Sequence, residues 1–276
     1  MTVERCRVTT DDRVVLDGAL AGPAVAVEDS LPVDLFVLVH GTGSNFDAPG
    51  LLEMFASQAV AGGTAVLRIN TRGHDGVPDE RVSECRADLA AWCRFASERG
   101  HGRIVLVGHS MGGVKAVHAA AHEELSGLTA IVGISPPRFC HRRLFDHPDG
   151  GDFRADFVRA AEAVDAGRGG ELLEIRQPRP MQITAECFVD KYGPADRYDL
   201  VQHLPAVRCP TLVMLGELSV ASSPAFAGLP EDLATLAEVH GSLAVEVIEG
   251  AGINYRADPR EPYRRAARWL NRRPGW

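Results

Sequence analysis

Residues 108–112 read Gly-His-Ser-Met-Gly, a G-x-S-x-G pentapeptide with a further glycine at Gly113. A serine held in a sharp turn between a buried strand and a helix sits on strained backbone, and small neighbours give that turn the room it needs. Ser110 then stands above the strand ends, with a helix N-terminus beneath it to favour developing negative charge. That is the placement of a nucleophile. A second stretch, His40-Gly-Thr-Gly-Ser-Asn45, lets backbone approach a ligand, and the amides of Thr42 (or Gly43) and Met111 are suited to an oxyanion hole. A phosphate-binding reading of this stretch is weaker. It lacks the lysine of a P-loop and the third glycine of a dinucleotide fingerprint at the right spacing.

Both stretches must be carried by strand ends, and the hydrophobic pattern supplies them. Short apolar runs at residues 33–39, 64–70, 103–108, 128–134, 211–216 and 243–249 alternate with helical spacing at about 50–61, 82–98, 111–123, 230–240 and 259–271. Such alternation predicts an α/β fold with a mainly parallel sheet covered by helices on both faces. In the helix over 82–98, Cys85, Leu89, Trp92, Cys93 and Ala96 share one face, a stripe read as core. After Pro136-Pro137 the texture changes. Residues 138–208 show no good strand, a charged helix near 152–166, a Gly-rich break at 167–170 and scattered aromatics. A connection of that length reads as a small helical cap inserted in a core formed by residues 1–137 and 209–276.

Composition narrows the partners. The chain has 276 residues, 45% of them hydrophobic, enough to bury a large core. Its net charge of −8 is spread without long like-charge runs, which argues against nucleic-acid and anionic-membrane binding. No apolar run approaches the ~18 residues needed to span a bilayer, and the polar start Met-Thr-Val-Glu-Arg-Cys-Arg does not read as a secretory signal. The six cysteines, Cys6, Cys85, Cys93, Cys140, Cys187 and Cys209, have no C-x-x-C spacing and read as reduced thiols of a cytoplasmic protein, not a disulfide frame or a metal site. Only Lys115 and Lys191 among the 29 basic residues are lysine, a skew that fits a GC-rich bacterial genome.

The order H-G-T-G, N-T-R-G-H, G-H-S-M-G-G, a cap, T-L-V-M-L-G-E and V-E-V-I-E-G-A-G resembles the α/β-hydrolase superfamily over almost the whole chain. The resemblance implies a serine enzyme similar to esterases, lipases, amidases, thioesterases or carbon–carbon bond hydrolases. Ser110 matches its nucleophile, an acid is expected after the strand that follows the cap, and a histidine after the last strand. Here the sequence departs from the pattern. The aspartate position holds Ser219, in Gly216-Glu-Leu-Ser219, and the histidine position holds Ile253, followed by Asn254. The two absences support one another, because an acid that orients an imidazole has no task once the imidazole is gone.

Other histidines could stand in. His40 and His109 belong to the motifs, and in similar proteins their side chains point away from the serine; His101 and His240 lie at the wrong end of the sheet. His118 and His122 lie down the helix after Ser110, which leaves His74, His141, His147 and His203. Three functions follow. The first is an atypical or non-hydrolytic enzyme (cyclisation, addition, elimination or carbon–carbon bond chemistry) acting on a bulky small molecule in bacterial specialised metabolism. The second is a serine esterase or thioesterase with a relocated base, and the third a non-catalytic small-molecule-binding protein. The substrate pocket is expected to involve Gly43, His74, Phe139, His141, Phe145, Phe188 and Tyr192, and no metal or organic cofactor is indicated.

Overall fold

The computed structural model describes residues 2–23 and 30–272. The core opens with β1 (Thr2–Thr9), β2 (Val15–Gly22), β3 (Leu35–Val39), α1 (Leu51–Ala61), β4 (Ala65–Ile69), α2 (Cys85–Glu98), β5 (Ile104–His109), α3 (Met111–His122) and β6 (Leu128–Ile134). An insertion follows, with α4 (His141–Phe145), α5 (Gly151–Asp165), β7 (Leu172–Ile175), β8 (Met181–Thr184), α6 (Ala185–Tyr192) and α7 (Leu200–His203). The chain then returns through β9 (Thr211–Gly216), α8 (Glu217–Ser222), α9 (Leu229–Val239), β10 (Leu243–Ile248) and α10 (Glu261–Asn271).

Eight strands form one sheet in the order β1-β2-β4-β3-β5-β6-β9-β10, parallel from β4 onward, with β1 and β2 antiparallel at one edge. Strand period sends successive side chains to opposite faces. On β5, Ile104 and Leu106 pack toward α2, α3 and α9, whereas Val105 and Val107 pack toward α1 and α10. Two apolar layers therefore clamp the central strands, which are buried on both sides, and their carboxyl ends are left to carry the loops. The stripe on α2 is core, with Leu89, Trp92 and Cys93 fully covered.

The β1–β2 hairpin was not foreseen. Its signal is a weak alternation in which Cys6 and Val8 turn inward while Glu4, Arg5 and Arg7 face out. The insertion differs from expectation too, because β7 and β8 pair as an antiparallel hairpin among its helices. Four-residue strands are too short to stand out by periodicity. Leu173, Ile175 and Ile183 of that hairpin join Phe139, Phe153, Phe188 and Tyr192 in a core that also takes in Val82, Cys85, Met111 and Val114. The insertion is thus seated on the first turns of α2 and α3, immediately beside Ser110. All six cysteines are free thiols, five of them buried. No helix among the described residues is long and apolar enough to cross a membrane.

Candidate active site

Ser110 ends β5 and precedes α3 with φ 53° and ψ −122°, a conformation that costs a non-glycine residue on the order of 1–3 kcal/mol. The surrounding glycines permit it. A Cβ on Gly108 would lie 2.2 Å from the carbonyl oxygen of Gly112, and one on Gly112 would lie 2.0 Å from that of Val39, so neither position can hold a side chain. The strain is held by the sheet through the Ser110 amide, which donates to the Ile134 carbonyl at 2.8 Å.

The loop after β3 lies against this turn. A Cβ on Gly41 would be 3.2 Å from Cβ of Ser110 and 3.7 Å from its hydroxyl oxygen, which places Gly41 directly beside the hydroxyl. The amide of Thr42 donates to no protein group among the described residues. That of Met111, first in its helix, has no intrahelical acceptor by position. One of these amides follows Ser110 directly in the chain, and the other belongs to a residue that lines the same cavity as Ser110. His40 fixes the loop from inside, donating from Nδ1 to the Gly41 carbonyl at 2.9 Å while its Nε2 accepts from the Thr71 amide at 3.2 Å. Burial, with the Lys115 charge nearby, pulls the His40 pKa down to about 4 and keeps the ring neutral.

Above these groups lies a cavity of about 690 Å³ lined by Ser110, Thr42, His109, Ile253 and Asn254 together with residues of the 44–54 segment. The two loops that follow β9 and β10 are tied to each other. Leu218 N donates to the Ala251 carbonyl at 2.9 Å, and the Gly250 amide donates to the Glu217 carboxylate at 2.9 Å. Glu217 therefore has a structural partner. Ser219 is buried on α8, whereas Ile253 and Asn254 face the cavity. The Ser110 hydroxyl makes no hydrogen bond to a side chain among the described residues, and the two imidazoles that line its cavity, His40 and His109, are engaged by backbone groups.

The proposed stand-in histidines lie elsewhere. His74 sits in a short turn, its Nδ1 2.6 Å from Asp75, outside the cavity lining. His141 donates to the Tyr192 carbonyl at 2.8 Å and packs against Phe145, Phe153 and Phe157 inside the insertion. His147 accepts from the Asp149 amide at 3.1 Å. His203 joins His118 and His122 in a cluster, with ring contacts at 3.4 and 3.3 Å. Those three rings bring ligand atoms within 4.8 Å of one another and form the group, among the described residues, able to hold a metal ion. No local spacing hints at it, because residue 203 is far along the chain from the pair on α3.

The expected aromatic pocket needs the same correction. Phe139, Phe188 and Tyr192 are buried, Phe145 is partly buried, and all four pack in the core of the insertion, not along the Ser110 cavity. They satisfy one another because each ring finds apolar neighbours there, which removes it from water at roughly 1.5–3 kcal/mol apiece. Gly43, at φ 72°, lines a second, smaller cavity of about 250 Å³. What sequence reasoning missed is the charge. Arg68, Arg179 and Arg256 all line the large cavity, against one carboxylate, Glu53. The available signal was Arg68, a cation inside the otherwise apolar run at 64–70.

Comparison with known proteins agrees with this architecture. Over 202 residues the chain is 29% identical to N-formylmaleamate deformylase of Pseudomonas putida, covering 68% of this chain and 71% of that protein. Its fold is similar to that of the α/β hydrolase GrgF from Penicillium sp. sh18, with a TM-score of 0.70 over 100% of both chains at 14% identity. It is also similar to the esterase Pf2001 of Pyrococcus furiosus, with a TM-score of 0.66 over 99% of this chain and 92% of that one at 16% identity. The sequence profile of the alpha/beta hydrolase family matches residues 36–268, and the chain belongs to that family.

Proposed function

We propose that the chain is an enzyme of atypical, non-hydrolytic chemistry, carried by a Ser110 hydroxyl to which no imidazole is hydrogen-bonded, with the amides of Thr42 and Met111 as its oxyanion hole. A positioned general base supplies ~10²–10⁴ in rate, and loss of a triad member from an intact enzyme costs up to ~10⁶. Ester or amide hydrolysis through Ser110 is then slow. Thr42 and Met111 still polarise a carbonyl, and Ser110 still donates a hydrogen bond. These parts suit cyclisation, addition, elimination or carbon–carbon chemistry on a bulky small molecule held in one geometry, as in bacterial specialised metabolism. Residues 138–208 serve as the cap over that molecule.

A second reading, a serine hydrolase with a relocated base, draws support from the His74–Asp75 pair, an imidazole oriented by a carboxylate next to the oxyanion loop. The likeness to a deformylase points the same way. Fluorophosphonate labelling separates the two. The first reading expects slow labelling of Ser110 at neutral pH, unchanged in His74→Ala; rapid labelling that His74→Ala abolishes would establish the second.

A further inference from the structure

The two lysines of the chain, on different helices, meet in one place. Lys115 of α3 and Lys191 of α6 are both almost fully buried, and Glu80 lies buried with them. Lys115 has its partners: it pairs with Glu80 and donates to the Thr71 hydroxyl at 2.8 Å. Lys191 has neither a hydrogen bond nor an ion pair among the described residues. The cluster thus holds two ammonium groups and one carboxylate. An ammonium left without a counter-ion in a buried site is costly, unless it loses its proton or a ligand supplies the missing charge.

Space for that ligand is present. Lys191 lines the cavity of about 250 Å³, together with Gly43, Glu80 and Arg179. Thr42 and Arg179 line this cavity and the larger one that contains Ser110, so the two adjoin at the oxyanion loop. Arg179 comes from the turn between β7 and β8 and is likewise unpaired among the described residues. In a chain of net charge −8 this corner is positive. Burial lowers the Lys191 pKa while Glu80 opposes the shift, and an incoming anion would act in the same sense as Glu80.

We propose that this smaller cavity is a subsite for a carboxylate of the substrate, held by Lys191 from within and by the guanidinium of Arg179 at the junction of the two cavities. One uncompensated ammonium calls for one negative charge, and a planar carboxylate suits the fork of Arg179. The inference rests on the proposed use of the Ser110 cavity, and it adds that the reacting carbonyl and the anchoring carboxylate lie on opposite sides of Thr42.

Isothermal titration of the whole chain with 3-phenylpropionate, 3-phenylpropionamide and inorganic phosphate tests it. The carboxylate is expected to bind saturably and the amide not to bind. Its Kd is expected to weaken about tenfold or more in Lys191→Met and severalfold in Arg179→Gln. Lys191→Met removes an unpaired buried charge, so its Tm is expected to rise; should it fail to fold, Arg179→Gln at an exposed position decides alone. Equal binding of acid and amide, a Kd unmoved in the variants, preference for phosphate, or no saturable binding would each overturn the subsite. Because binding is read without turnover, carboxylate binding in a protein that converts no substrate would retain the subsite and defeat the proposed reaction.

Discussion

His109 donates from Nε2 to the carbonyl oxygen of Ile253 at 2.9 Å, so the residue before Ser110 holds the loop that carries Ile253 and Asn254. Burial lowers the His109 pKa, which keeps the ring neutral with its proton on Nε2. The loop is fixed on its far side as well, where Tyr255, buried at φ 50°, meets the Ser135 hydroxyl at 3.3 Å. Ile253 and Asn254 therefore occupy a held backbone.

Replacing His109 by Phe removes that donor and leaves the Ile253 carbonyl without it. The expected cost is about 1 kcal/mol, read as a lower urea midpoint with unchanged slope.

If the held loop keeps hydrolase geometry, restoring its chemistry should restore a reaction. Ile253→His combined with Ser219→Asp is expected to raise hydrolysis of p-nitrophenyl acetate by ~10² or more over the parent chain, with Ile253→His alone giving less. No gain from the pair would mean that the loop backbone no longer points an imidazole at Ser110.

Gly112→Ala puts a methyl group where the Val39 carbonyl already lies, at 2.0 Å. Neither strand β3 nor helix α3 can move without opening the sheet, so the expected loss is roughly 3 kcal/mol or more. Denaturant unfolding measures it, and a near-neutral result would disprove the close approach that shapes the elbow.

The buried His40 makes stability depend on pH. Its folded pKa of about 4 lies below the ordinary ~6.5, so the unfolded chain binds the proton more tightly, and stability is lost as pH falls through that interval. By pH 5 the loss from this one group is on the order of 2 kcal/mol. Thermal unfolding between pH 7 and 5 should show it, and His40→Gln should flatten the profile.

The sequence by itself determined the α/β architecture and the elbow. The runs at 128–134 and 211–216 are the strands observed, and Gly108, Ser110 and Gly112 form the expected strained turn, because both signals are local: strand period and the steric needs of one turn. Ile253 and Ser219 could be read at the expected triad positions, but which histidines line the Ser110 cavity depends on how distant loops converge. Tertiary structure alone decided that Phe188 and Tyr192 pack into the insertion, that His203 joins His118 and His122, and that Lys191 meets Glu80 and Lys115. Each of these joins residues on separate elements, and their meeting is set by the packing of the insertion on α2 and α3, for which no short stretch of sequence carries a period.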